Sequence, residues 1–128
     1  GIVNEEKQIK LLNKLELCNE IVLADATNAI DVYEKVIEVN KEPVDVTINV
    51  VNVQNTEMSC ILITKDTGIV YFFSMATSFT KAALGAEGVG SDVTMIIGNG
   101  YTKGHAELTL NLVNNAPKIK QLFERIYT

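Results

Sequence analysis

Apolar positions along this chain recur with two periods, and the change from one to the other divides it into elements. From Asn4 to Val22, the residues Leu11, Leu15, Cys18 and Val22 return at helical spacing. Asn4 can cap that helix, and Glu5 and Glu6 suit the positive end of its dipole. From Thr27 to Asn40, the residues Ala29, Val32, Tyr33, Val36 and Ile37 fill one face of a second helix, which Lys41-Glu42-Pro43 stops.

The period then becomes two. Val44, Val46, Ile48 and Val50 alternate with Asp45, Thr47 and Asn49, the pattern of a half-buried strand. Parity shifts at Val51 and Val53, which predicts a bulge or bend. After a turn at Gln54-Asn55-Thr56, the apolar run Met58 to Ile63 reads as a central strand. Asp66-Thr67-Gly68 turns into a third strand, Ile69 to Phe73. The three are expected to form an antiparallel meander. A short helix follows from Thr77 to Ala86, with Phe79, Ala82 and Ala83 inward, and Gly85, Gly88 and Gly90 end it. Pro117 opens a last helix at the position proline favours, and Ile119, Leu122, Phe123, Ile126 and Tyr127 give it an apolar face.

Residues 92–113 admit two readings. Gly98, Gly100 and Gly104 follow the apolar run Val93 to Ile97, as a phosphate-binding loop follows a strand. The spacing GxGxxxG departs from the dinucleotide fingerprint, and Lys103-Gly104 reverses the order a P-loop needs. Beyond the loop, Ala106, Leu108, Leu110 and Leu112 share one face of a strand but not of a helix. Asn-Gly is also the strongest two-residue hairpin signal. A turn at Asn99-Gly100 pairs segments 92–98 and 101–113 so that both apolar sets share a face. The hairpin is therefore the preferred reading.

The expected fold is α+β: an antiparallel sheet of about five strands, a three-strand meander plus a hairpin, packed against helices in the order ααβββαββα. The 128 residues, 47% of them apolar, suit a single domain spanning 1–128.

Charge and composition remove several functions. The net charge of −5 and the absence of a basic stripe argue against nucleic acid and against an anionic membrane surface. No apolar run approaches the ~20 residues that span a bilayer. Gly1 to Lys10 has no apolar core of the kind a secretory signal needs. Cys18 and Cys60 fall in apolar stretches and read as buried reduced thiols, so a cytoplasmic location is expected. Ser74, Ser78 and Ser91 lack a nucleophile-elbow context, and Met58, Met75 and Met95 read as core filler.

The hairpin would create one constellation. Tyr101, Lys103, His105 and Glu107 would line the polar face of one strand, with Asp92 across from Glu107. His105 is the only histidine, and with Asp92 and Glu107 it offers imidazole and carboxylate ligands to a divalent ion. A solvated face of mixed charge explains the same residues. No cofactor and no bound metal are expected.

Met58 to Ile63 is apolar on both sides, and Ile96 interrupts the polar face of the hairpin. Spare apolar surface of this kind predicts a homodimer. The element order resembles that of the small acidic secretion chaperones and related adaptor domains, apart from the extra N-terminal helix. That resemblance implies a non-enzymatic, dimeric, chaperone-like binding or adaptor domain that holds a protein client. The alternative is a small-molecule- or metal-binding domain, an enzyme included, that uses the polar face around His105.

Overall fold

The computed structural model describes residues 1–98 and 101–128. Strand β1 (Ile2–Val3) enters helix α1 (Glu6–Leu15) through a reciprocal cap, in which the Glu5 amide donates to Gln8 Oε1 at 3.0 Å. Glu16 then takes a left-handed conformation (φ 56°) and stops the helix. The expected helix over residues 4–22 is thus cut short. Val22 belongs to strand β2 (Val22–Leu23), which lies parallel to β1 with Ile2 opposite Val22 and Val3 opposite Leu23.

Helix α2 (Ala29–Asn40) forms where the periodicity places it. Asn28 Oδ1 accepts the Asp31 amide at 3.1 Å at one end, and Lys41 closes the other in the left-handed region. Strand β3 (Val44–Asn49) also forms as expected. The chain then departs from the meander. Met58 to Ile63 lies in helix α3 (Glu57–Ile63), and strand β4 (Thr64–Phe72) follows without a break. A short apolar run fits a buried helix as well as a central strand, and here Glu57 begins the helix and Thr64 ends it.

Helix α4 (Phe79–Val89) is capped by Ser78 and closed by Gly90 at φ 64°. Strand β5 (Thr94–Ile97) follows, then helices α5 (His105–Asn114) and α6 (Pro117–Tyr127). Among the described residues every strand pairing is parallel: β1 with β2 in one sheet, and β3-β4-β5 in that order in the other. The antiparallel α+β fold is therefore incorrect. The chain is α/β, with strands and helices alternating in a Rossmann-like arrangement. The hairpin fails with it, because β5 pairs parallel to β4 and residues 105–114 are helical. Its turn, Asn99-Gly100, lies outside the described residues.

Asp66-Thr67-Gly68 does not reverse the chain. It is a bulge within β4: β3 advances from Val44 to Val46 while β4 advances from Thr64 to Ile69. Thr67 takes φ 66°, and its amide donates to Asp92 O at 2.6 Å. A Cβ on Gly68 would sit 2.8 Å from the carbonyl oxygens of Asp45 and Lys65, neither of which can rotate away. Gly68→Ala is therefore expected to cost about 1–3 kcal/mol in chemical denaturation. A variant as stable as the parent would show that the bulge is not packed this way.

Among the described residues, two clusters hold most of the buried core. Val22, Ala24, Val32, Val36 and Ile63 join β2, α2 and α3, with Ile2 and Val44 against them. Cys60, Val70, Phe72 and Ala82 join α3, β4 and α4, with Met95 and Ile97 against them. Among the described residues no helix is long and apolar enough to cross a membrane.

Candidate functional site at the carboxyl ends of the strands

In a parallel sheet every strand ends on the same rim, and the loops leaving it are free to take up ligands. Here the rim is built by residues 24–28 after β2, 50–56 after β3, 73–78 after β4, and 98 and 101–104 after β5.

Short hydrogen bonds fix most of these loops. Asp25 Oδ1 accepts the Thr27 amide at 2.9 Å and the Thr27 hydroxyl at 2.7 Å. Those two donors hold the Asp25 carboxyl below its ordinary range. Asn49 is buried at the end of β3. Its Nδ2 donates to Thr56 Oγ1 at 2.8 Å, and its Oδ1 accepts the Val51 amide at 3.0 Å. The β3–α3 loop is thereby tied at both ends to one side chain. Ser74 Oγ accepts the Ala76 amide at 3.1 Å. Ser59 Oγ donates to Ala26 O at 2.6 Å and so pins the β2 loop to α3.

Glu57, in the first turn of α3, is 2% exposed, and its Oε1 accepts the Ser78 amide at 2.8 Å. Lys81 of α4 reaches across to Asn55 Oδ1. Between them lies a cleft of about 360 Å³ lined by Thr27, Asn55, Glu57, Met58, Lys81 and Leu84. Beside it, Thr77 Oγ1 is buried with no hydrogen-bond partner among the described residues. Around this cleft the rim offers neutral amides and hydroxyls, Lys81 and the buried Glu57 carboxylate, a donor set for a polar organic ligand. Among the described residues no group of histidine, cysteine and carboxylates is placed to hold a metal ion.

Cys60 sits beneath this rim. Burial pushes its thiol up to about 12, with the Glu57 charge adding to the rise and a hydrogen bond from Asn49 opposing it. It is a core thiol and not a nucleophile at neutral pH.

The expected constellation is not assembled as a strand face. His105 and Glu107 lie in the first turn of α5, where residues two apart point away from each other. His105 Nδ1 lies 2.7 Å from Thr102 O, and its ring meets Tyr101 edge-on with centroids 5.1 Å apart. Lys103 is exposed in the loop before α5. Asp92 lies at the opposite end of β5, where its amide donates to Asp66 Oδ1 at 3.0 Å. Tyr101, Lys103 and His105 therefore stand on the rim, and Asp92 does not.

The sequence reading passed over Asp25, Asn49, Glu57 and Thr77. The available signals were an Asp-x-Thr turn and the polar residues Thr47 and Asn49 within a strand. Both look like surface features until the helices are placed.

No protein-family model matches the chain. It is 53% identical to an L-erythro-3,5-diaminohexanoate dehydrogenase of Fusobacterium nucleatum, over 99% of its own length and 37% of that protein. It is 51% identical to the L-erythro-3,5-diaminohexanoate dehydrogenase of Acetoanaerobium sticklandii, again over 99% of itself and 37% of the relative. The chain therefore spans little more than a third of the length of these curated relatives. Similarity to two enzymes along nearly the whole chain overturns the expected non-enzymatic adaptor. It favours the alternative, a small-molecule- or metal-binding domain, an enzyme included.

Proposed function

We propose that this chain is part of a dehydrogenase and contributes one side of a dinucleotide-binding cleft. The observation that carries the reading is the 53% identity to a dehydrogenase over 99% of the chain. The parallel α/β fold supports it independently, because sheets of this kind bind dinucleotides outside the carboxyl ends of their strands. The substrate proposed is L-erythro-3,5-diaminohexanoate or a close diamino acid, from the names of both relatives.

The rim has a chemistry that suits such a cofactor. Helices α2, α4 and α5 begin there, and helix N-termini favour phosphate oxygens. The buried Thr77 hydroxyl supplies a hydrogen-bonding group without a partner among the described residues. Asn49 and Asp25 hold their loops rigid, which lowers the entropic cost of ordering a ligand. When bound, a nicotinamide dinucleotide would supply the hydride acceptor. Tyr101, Lys103 and His105 are proposed to line the end of the cleft beyond β5. The Gly98–Gly104 loop is not assigned to the pyrophosphate, because β5 lies at the outer edge of its sheet, away from the point where strand order reverses.

The test is an assay of the protein, in the length at which its own cells make it, with L-erythro-3,5-diaminohexanoate and either nicotinamide dinucleotide. Substrate-dependent formation of reduced nicotinamide is expected. No reduction with either cofactor would sink the reading.

A further inference from the structure

We propose that a further parallel strand, from polypeptide of the same protein beyond these 128 residues, seats between β1 and β3 and joins the two sheets into one. The proposal deepens the dinucleotide reading but stands on strand order and main-chain direction.

From β1 the chain steps outward to β2, and from β3 it steps through β4 to β5. Among the described residues helix α1 packs on β1 and β2 and not against α2, α3 or α4, which places it on the opposite face. Parallel crossovers are right-handed, so the two series then step in opposite directions. Helix α2, which carries the chain from β2 back to β3, packs beside α3, and α3 beside α4. All three therefore share a face. The spatial order is then β2-β1, an opening, and β3-β4-β5. A doubly wound sheet has the order 3-2-1-4-5-6, and the opening falls where its first strand would lie.

The two sheets are already parts of one body. The cluster Val22, Ala24, Val32, Val36 and Ile63 spans the opening, with Ile2 of β1 and Val44 of β3 both packed on it. The bond from Ser59 to Ala26 O crosses the same line.

Among the described residues the facing edges are unpaired. Phe73 N donates to Asn49 O at 2.9 Å, so Asn49 and Thr47 turn their main chains toward β4. Val46 and Ile48, between them, turn theirs toward the opening. On the other side, the Val22 and Ala24 amides each donate at 2.9 Å to Gly1 O and Val3 O, so Ile2 faces away from β2. An edge strand that is meant to stay exposed carries lysine, proline or a blunt end. β3 has none of these along Val44–Asn49, and its one charge, Asp45, is paired with Lys65.

Apolar side chains at this edge also lack cover. Val46 is 52% and Ile48 65% exposed, and they continue onto Ile69, Tyr71 and Ile96 across the sheet. Parallel sheets are ordinarily buried on both faces. The two dehydrogenases carry most of their length outside the region this chain matches, which is where such a strand would come from.

Amide hydrogen exchange tests this without turnover. It compares the 128-residue chain with the protein as purified from its own cells. In the 128-residue chain, Thr47 is expected to be protected while Val46 and Ile48 exchange freely. In the native protein Val46 and Ile48 should slow by about 100-fold or more. Equal, fast exchange in both would overturn the proposal, including the case in which the native protein is no longer than this chain. Protection that rises with concentration of the 128-residue chain would assign the edge to a second copy and overturn it too. Protected but inactive protein would sink the dehydrogenase reading and leave the strand. Active protein with Val46 and Ile48 unprotected would do the reverse.

Discussion

Phe72→Ala is expected to destabilise the chain by about 3–5 kcal/mol, the largest loss of any single core substitution here. Phe72 is 1% exposed in β4. It shares a cluster with Val70, Cys60 of α3 and Ala82 of α4, with Ile97 of β5 against it. Removing the ring leaves a cavity whose walls are main-chain strands and two helices, which collapse only partly. The neighbouring Phe73 is 52% exposed, on the opposite face of the sheet. Phe73→Ala should therefore cost less than about 1 kcal/mol in the 128-residue chain. Urea denaturation of the two variants checks the pair. With a slope of about 1–3 kcal/mol/M, the Phe72 variant should lose more than ~1 M in its midpoint. A larger effect at Phe73 would mean that the wrong face has been assigned to the core.

Alkaline pH should expose the burial of Cys60. Its thiol is pushed from 9.0 up to about 12, chiefly because the thiolate is excluded from the core. The folded pKa is raised, so the unfolded chain gives up the proton first. The stabilisation is complete below pH 9 and disappears as pH rises through about 12. A shift of this size amounts to about 3–4 kcal/mol across that window, to order of magnitude. Other groups titrate there too, so the test is a difference. Cys60→Ala should lose less stability than the parent between about pH 9 and pH 12. In the native protein iodoacetamide should label the half-buried Cys18 and spare Cys60, which becomes reactive only on unfolding. Parallel pH profiles for variant and parent would contradict the buried thiol.

These effects concentrate where the sequence was hardest to read. Met58 to Ile63 is apolar at nearly every position, and a fully buried helix and a central strand write the same pattern. Once it is helical, β3 and β4 are joined by a helix, which permits parallel pairing and forbids the meander. The alternation of Ala106, Leu108, Leu110 and Leu112 misled for a different reason. Leu108, Leu110 and Leu112 are all at least 60% exposed in α5, so no face of that helix is buried in this chain and its apolar period reports nothing about packing. Strand β3 inverts its own pattern. Its polar Thr47 and Asn49 point inward, where Thr47 meets the Thr64 hydroxyl at 2.7 Å and Asn49 holds the next loop, while Val46 and Ile48 face out.

The constellation expected from the sequence is not assembled as a strand face. Tyr101, Lys103 and His105 do lie on the rim, although the strand that was to align them does not exist. Asp25, Asn49, Glu57 and Thr77 come from four separate segments, and nothing local distinguishes them from surface residues until parallel strands bring their ends to one side.

By itself the sequence determined helix α2 with its stop, helix α6 behind Pro117, helix α4 except for its end (Gly85 and Gly88 lie inside it), and the existence of β3, β5 and the second half of β4. Each of these rests on local terms, a proline or a run of matching period, that act within a few residues. Only the tertiary structure decided the direction of strand pairing, the inward face of β3, the helix hidden in Met58 to Ile63 and the rim that the loops share. Those depend on which surfaces are covered by distant segments, and burial of that kind is not written in the period of any one segment.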